Sequence, residues 1–523
     1  MYKSWTALRS GLNGPLIFTA RRRGSKRRHI LSNPRCFCGG ETLKAYNYVV
    51  RIVVVILVLA AGFPVTGLAA ESAARAKGIV LFIGDGMGIN QLRAAAIYSQ
   101  EVLGKPLAID SIATSGITTT YSADSEVTDS AAASTALYSG HKTKNKVINL
   151  LPDGKRVFTI GHAAKKAGLS VGVLTTTRLT HATPAALYSR VADRDEENAI
   201  ADQLAEFEPD VGMGGGVRHF IPRGQEGSKR KDDKNFIELM KGRGYAYVTN
   251  SSELKAFDPS ASRRLLGLFS MSHMAYEMDR QNVPKLGCQP DLASMTKAAL
   301  SVLERNPRGF FVMIEGGRID HACHFHDIKA SIIDTIAFDD AVRLALDYQK
   351  THPDVLVLVT ADHECGGLGL GVGFDYALDI KALSPITNSL EYLNWKILKQ
   401  PGDLDAILKS AGFALTDKER ALVSKYPPET KPDAVAELSA YKGKMKKYVE
   451  SWIHYALSVI ESDRAKIGWT SFAHTAQPVI TYAVGPGQEE FSGSYDNTDI
   501  AKKMAKLLGL TLDPPELVTK TSQ

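Results

Sequence analysis

Carboxylates and histidines in this chain collect at the borders of short apolar runs. Asp85 follows IVLFIG in the stretch DGMG. Glu315 closes FFVMI and opens GGRIDHACH, which holds Asp320 and His324. Asp362 and His363 follow VLVLVTA, and His474 lies in FAHTA, just ahead of PVITYAVG. An Asp after a strand is a common turn residue, and a lone His is commonly a hydrogen-bonded core or surface residue. As a set, with Asp-x-x-x-His at 320–324 and Asp-His at 362–363, they form a mixed nitrogen and oxygen ligand supply. Imidazole with carboxylate suits zinc; carboxylate with hydroxyl and water suits magnesium. None of these residues is Cys, which disfavours a structural thiolate zinc site. So many anions gathered in one place would repel one another unless cations were present.

A second chemical candidate lies in VTDSAAASTALYSG. Asp129 and Ser130 precede a run of helix formers, and Gly140 is a suitable stop. Read alone, the segment is a helix whose cap is Asp129 or Ser130, worth about 1 kcal/mol. The functional reading is that Ser130 sits where helix N–H groups and the helix dipole favour an anion. A serine hydroxyl is a poor nucleophile at neutral pH, and metal coordination activates it without a histidine base.

Those groups must be positioned by the elements around them. GIVLFIG (78–84), VGVLTT (171–176), GFFVMIE (309–315), DVLVLVTA (354–361) and VITYAVG (479–485) are apolar and too short for helices; they read as strands buried on both faces. Helical stretches alternate with them, among them 160–168, 291–306 and 328–350. The alternation predicts an α/β fold: a large, mainly parallel sheet flanked by helices on both faces. In such sheets ligands bind beyond the carboxyl ends of the strands. Three of the four clusters fall at such ends, and His474 arrives on the loop feeding the last strand. Residues 371–470 break the pattern. They are lysine-rich and read as a mostly helical insertion or cap that returns to the sheet at Ser471, its charges a solvated face. The run GMGGG (212–216) lacks the spacing of a nucleotide-binding fingerprint and reads as a loop.

The basic character of the chain belongs to its beginning. Of 63 Lys and Arg, 11 lie in residues 1–51 beside one acid, Glu41; residues 71–523 hold 52 basic and 55 acidic residues. A net charge of −3 over that part gives no support for a nucleic-acid partner. RRRGSKRR and Arg51 precede the apolar run IVVVILVLAAGF, followed by the small residues of PVTGLAAES. This reads as a basic leader with a signal peptide, residues 1–70, cut near Ala69 or Ala70. The run is short for a spanning helix, which needs about 20 apolar residues. The mature protein is therefore expected to be exported, periplasmic or secreted, without a stable membrane span; a retained signal-anchor is the alternative. Residues 71–523 read as a single catalytic domain. Cys288, Cys323 and Cys365 remain in it, and three thiols cannot all pair within one chain; Cys323 and Cys365, beside His324 and His363, are expected to be buried free thiols.

From about Lys77 to about Gly487 the chain resembles the alkaline phosphatases. The matching pieces come in family order: IGDGMG, VTDSAAASTA, THATPAALYSRVADR, VMIEGGRIDHACH, TADH and AHTA. The resemblance implies hydrolysis of phosphate monoesters through a phosphoseryl intermediate on Ser130, with two Zn2+ and one Mg2+ per chain. Asp320, His324 and His474 would hold the first zinc, and Asp85, Asp362 and His363 the second. Asp85, Thr183 and Glu315 would hold magnesium. Arg194 would clamp two phosphate oxygens, with Asp129 orienting it. His181 stands where some bacterial members carry Asp, and is a candidate for touching magnesium through water. His321 stands where some carry Lys, and would reach phosphate through water. A homodimer acting on small phosphate monoesters is implied as well. A phosphodiesterase or sulfatase of the same broader superfamily is the alternative, although these typically use Thr or a modified Cys as nucleophile.

Overall fold

The computed structural model describes residues 75–435 and 449–517. The expected leader and signal segment at 1–70, and the KGKMKK part of the expected helical stretch, lie outside the described residues.

Ten described strands form one sheet. In chain order they are β1 (Gly78–Gly84), β2 (Thr114–Thr119), β3 (Ser170–Arg178), β4 (Val211–Gly215), β5 (Ala246–Val248), β6 (Leu265–Leu268), β7 (Phe310–Gly316), β8 (Val355–Ala361), β9 (Val479–Val484) and β10 (Gly493–Asp496). Their spatial order is β10-β2-β9-β8-β1-β7-β3-β4-β6-β5. The pairs from β8 to β5 are parallel, whereas β9 runs antiparallel to both β8 and β2. The chain thus forms the mainly parallel α/β sheet its apolar runs predict.

The main helices needed to describe the site are α1 (Ile89–Val102), α2 (Ser130–Ser139), α3 (Ile160–Lys166), α4 (Ala182–Ala185), α5 (Leu292–Leu303), α6 (Arg318–His324), α7 (Ile328–Thr351), α8 (Leu390–Lys399), α9 (Leu404–Ser410), α10 (Asp417–Val423), α11 (Trp452–Ala465) and α12 (Thr498–Leu508). Strand β1 shows why both faces of the sheet need cover. Ile79, Leu81 and Ile83 enter a core shared with α2, α3 and α12, while Val80 and Phe82 enter one shared with α5 and α7. Successive strand side chains point to opposite faces, so an unbroken apolar run belongs in the middle of the sandwich.

The lysine-rich segment contributes α8 to α11. Its neck is a short antiparallel ladder, Leu368–Leu370 against Ile467–Trp469, so the chain closes the neck just before Ser471 and rejoins the large sheet at Val479. Leu390, Leu393, Ile397, Trp452 and Leu457 share a core with Ala94 and Tyr98 of α1 and with Ile328 and Ile332 of α7.

The Gly-rich run is not the loop its sequence predicts: residues 212–215 lie in β4, inside the sheet. A Cβ on Gly214 would lie 2.7 Å from the Thr175 methyl, and one on Gly215 would lie 2.1 Å from the Ser272 carbonyl. The glycines answer close neighbours rather than a turn, which composition alone does not reveal.

Candidate active site

The parallel register aligns the carboxyl ends of four adjacent strands. Gly84 of β1 pairs with Ala361 of β8 and Gly316 of β7, and Glu315 pairs with Thr175 of β3. Asp362, Asp85, Glu315 and the Thr175–Thr177 segment therefore lie in a row. Gly86, at φ +70°, follows Asp85; a Cβ there would lie 2.8 Å from the Asp320 Cα. Only glycine lets this turn approach the first residues of α6 so closely.

Three groups of donor atoms result, the atoms in each within 4.8 Å of one another: Asp320, His324, His474 and Cys365; Asp85, Asp362 and His363; and Asp85, His181 and Glu315. In the first, His474 Nε2 lies 3.4 Å from Asp320 Oδ1, and His324 Nε2 lies 3.3 Å from Asp320 Oδ2. The opposite ring nitrogens are tied to the backbone. His474 Nδ1 donates to the Thr128 carbonyl at 2.8 Å, and His324 Nδ1 donates to the Phe472 carbonyl at 2.6 Å. A carbonyl only accepts, so these bonds fix the tautomers and turn each Nε2 toward Asp320. In the second group, Asp362 Oδ1 accepts the Gly86 and His363 amides at 3.1 and 3.0 Å, while Oδ2 lies 3.1 Å from His363 Nε2. In the third, Thr183 Oγ1 donates to Asp85 Oδ2 at 3.3 Å, and Glu315 Oε2 accepts from Thr177 at 3.0 Å and from Thr175.

Ser130 opens α2, and its Oγ lies 3.2 Å from His363 Nε2. The cap of the helix is Asp129, whose Oδ1 accepts the Ala132 amide at 3.0 Å. The other oxygen accepts from Arg194 Nη1 at 3.1 Å and from the Lys146 amide at 3.0 Å. Arg194 Nη2 meets His181 Nε2 at 3.1 Å. His321, partly buried on α6, meets Arg318 Nη1 through its Nδ1 at 2.8 Å. Ser130, Arg194, His181, His321, His324, His474 and Asp320 all line one cavity of about 420 Å3.

Charge is strongly perturbed here. Burial, reinforced by Asp362, Asp320 and Glu315, pushes the Asp85 carboxyl well above its ordinary range. Burial pushes Glu315 up to about 7 against the pull of the threonine hydroxyls. For Asp320 burial acts upward too, but His324 and His474 outweigh it and hold the group well below the usual range. Among the described residues, Asp85 Oδ1, Glu315 Oε1 and His181 Nδ1 are buried with no hydrogen-bond partner. Buried polar atoms are normally paired, so this cluster carries donor capacity directed at a group other than protein.

A family model described as alkaline phosphatase matches residues 76–510. The chain belongs to the alkaline phosphatase family. It is thereby a phosphomonoester hydrolase of a metal-dependent family. Alkaline phosphatase 3 of Bacillus subtilis (strain 168) is 32% identical over 443 residues, covering 83% of this chain and 89% of that protein. The crystal structure of Thermus thermophilus alkaline phosphatase superposes with a TM-score of 0.73 at 31% identity, over 88% of this chain and 98% of that one. A mutant of the alkaline phosphatase of the Antarctic bacterium TAB5, with Mg bound in its M3 site, superposes with a TM-score of 0.59 at 25% identity, over 84% and 100% of the two chains.

Several residues around the phosphatase cavity carry no signal in the sequence. Arg178, Lys146, Glu197 and His273 line it, but none sits in a motif. His273 touches Arg178 and packs edge-on against His321 with ring centroids 4.3 Å apart. Cys365 pairs with His474 across the short ladder that also joins Glu364 to Thr475. Cys323 and Cys365 are free and buried, as expected, and Cys288 is free and exposed; it lies in the turn before α5, where its Sγ donates to the Lys285 carbonyl.

Proposed function

We propose that this enzyme cleaves phosphate monoesters through a phosphoseryl intermediate on Ser130. The observation that carries the reading is the position of Ser130 Oγ, beside His363 of the Asp85–Asp362–His363 group and on the same cavity wall as Arg194. Arg194 is held from two sides by Asp129 and His181, and each of its terminal nitrogens keeps a second N–H for a phosphoryl oxygen. Ser130 Oγ attacks phosphorus, the bond from phosphorus to the leaving alcohol breaks, and that oxygen takes a proton. Water then attacks the phosphoserine, the P–Oγ bond breaks, and Ser130 regains its proton as inorganic phosphate departs. His321, on the cavity wall, reaches phosphate through water.

The unpartnered buried oxygens and the three donor groups fit two zinc ions and one magnesium. Asp320, His324 and His474 would hold one zinc, and Asp85, Asp362 and His363 the other. Asp85, Thr183 and Glu315, the oxygen-rich set, would hold magnesium with His181 beside it; the Mg-bound TAB5 relative supports a magnesium site. Bound there, the ions supply positive charge that polarises the phosphoryl group and eases deprotonation of the attacking hydroxyl and water.

The test is a substrate panel on metal-replete protein, joined to trapping with labelled phosphate. Monoesters should turn over, diesters and sulfate esters should not, and label should stay on the wild type but not on Ser130→Ala. Diester turnover exceeding monoester turnover, or label on the variant, overturns the reading.

The remaining proposals concern the chain around the site. Residues 1–70 act as a removable export leader, supported by their charge and apolar pattern. Residues 71–523 act as one catalytic domain, supported by the core that α8 and α11 share with α1 and α7. Among the described residues no helix is long and apolar enough to cross a membrane. N-terminal sequencing of the exported protein and light scattering test the cut site and the expected homodimer.

A further inference from the structure

A second cavity, of about 410 Å3, adjoins the phosphate cavity, and the two share His273 as a wall. Helix α6 serves both. Its His321 faces the first, while Arg318 lines the second, lies 3.8 Å over the Tyr276 ring and pairs with Glu391 of α8 at 2.9 Å. The outer wall is α8. Leu390, Leu393 and Ile397 bury one face of that helix, which leaves Tyr392 and Trp395, three residues apart, on the cavity side with ring centroids 5.8 Å apart. Trp395 is 56% exposed, although the opposite face of its helix is buried. A large ring left in water beside a cavity is a stacking surface for a flat partner. The wall carries the carboxylates of Glu391, Glu450 and Asp279 against the single guanidinium of Arg318, so it disfavours a further anion in this space.

We infer that this cavity is a leaving-group subsite that takes the nucleoside of a nucleoside monophosphate, with the base on Trp395 and Tyr392 and the phosphate reaching Ser130 past His273. The inference rests on the phosphomonoesterase reading above and adds a substrate class to it. The reaction is unchanged: the P–O5′ bond breaks and the nucleoside oxygen takes the proton.

Two measurements on metal-replete protein test it. In steady-state assays, Trp395→Ala and Tyr392→Ala should each lower the ratio of kcat/KM for adenosine 5′-monophosphate to that for glycerol 3-phosphate by about tenfold, the scale of one base–aromatic stack. An unchanged ratio overturns the subsite. Wild-type protein that hydrolyses neither compound instead overturns the phosphatase reading. The second measurement needs no turnover. Adenosine should quench tryptophan fluorescence in the wild type, and the quench should be lost in Trp395→Phe. No quench in the wild type, or one that survives in the variant, overturns the subsite by itself.

Discussion

Asp129 splits its two oxygens between a helix and an arginine: Oδ1 caps α2 at the Ala132 amide, and Oδ2 accepts from Arg194 Nη1 at 3.1 Å. The serine and the guanidinium are thereby referenced to one carboxylate. Asp129→Asn keeps an oxygen for the cap but turns an amide against Arg194. Inhibition by inorganic phosphate should weaken roughly tenfold to a hundredfold, the scale of a charge-assisted hydrogen bond, with little change in melting temperature. Asp129→Ala should add a stability loss of about 1 kcal/mol from the lost cap. Phosphate inhibition constants and thermal melts separate the two effects.

Glu364 is the buried joint between His363 and the His474 strand. It accepts from Gln91 at 2.9 Å, from the Gly367 and Leu368 amides at 3.1 Å each, and from Thr475. Glu364→Ala strands these donors and should cost about 2–4 kcal/mol in denaturant melts. Zinc affinity measured by competition with a chelating dye should fall too, because Glu364 secures the ladder whose neighbouring residues, His363 and His474, face the metal groups.

His454 of α11 gives a pH signature away from the site. The ring is buried against Phe325, neither nitrogen has a hydrogen-bond partner among the described residues, and burial holds its pKa down to about 4. An unfolded histidine titrates near 6.5, so the unfolded chain takes the proton first. Stability from this residue is present above about pH 6.5 and is lost as pH falls toward 4. At pH 5 the loss is about 2 kcal/mol. In matched melts at pH 7.5 and pH 5, His454→Leu should narrow the difference seen in the wild type.

Metal removal should destabilise the fold as well as stop turnover. Asp85, Asp362 and Glu315 share one buried space, and without cations their repulsion is uncompensated. A site held at a thousandfold excess over its Kd contributes about 4 kcal/mol. Calorimetry after exhaustive chelation should show a lower melting temperature, restored by zinc with magnesium. An unchanged melt would argue against bound ions.

The sequence by itself determined the alternation of buried strands and helices, because an apolar run flanked by turn residues has few places to go except the middle of a sheet. It also determined which chemical groups stand at the strand ends, since Asp85, Glu315 and Asp362 sit within one residue of them. Only the tertiary structure decided which of these groups share a space. The register of β8, β1, β7 and β3 brings them into a row, and register depends on contacts distant in sequence. The double duty of Asp129 was decided there too, as were the places of Arg178, His273 and Glu364. These residues belong to no motif, and each acts through a partner brought near by folding. The glycines of β4 make the same point in reverse. Their composition reads as a loop, but it is the nearness of Thr175 and Ser272 that requires residues without a Cβ inside a strand.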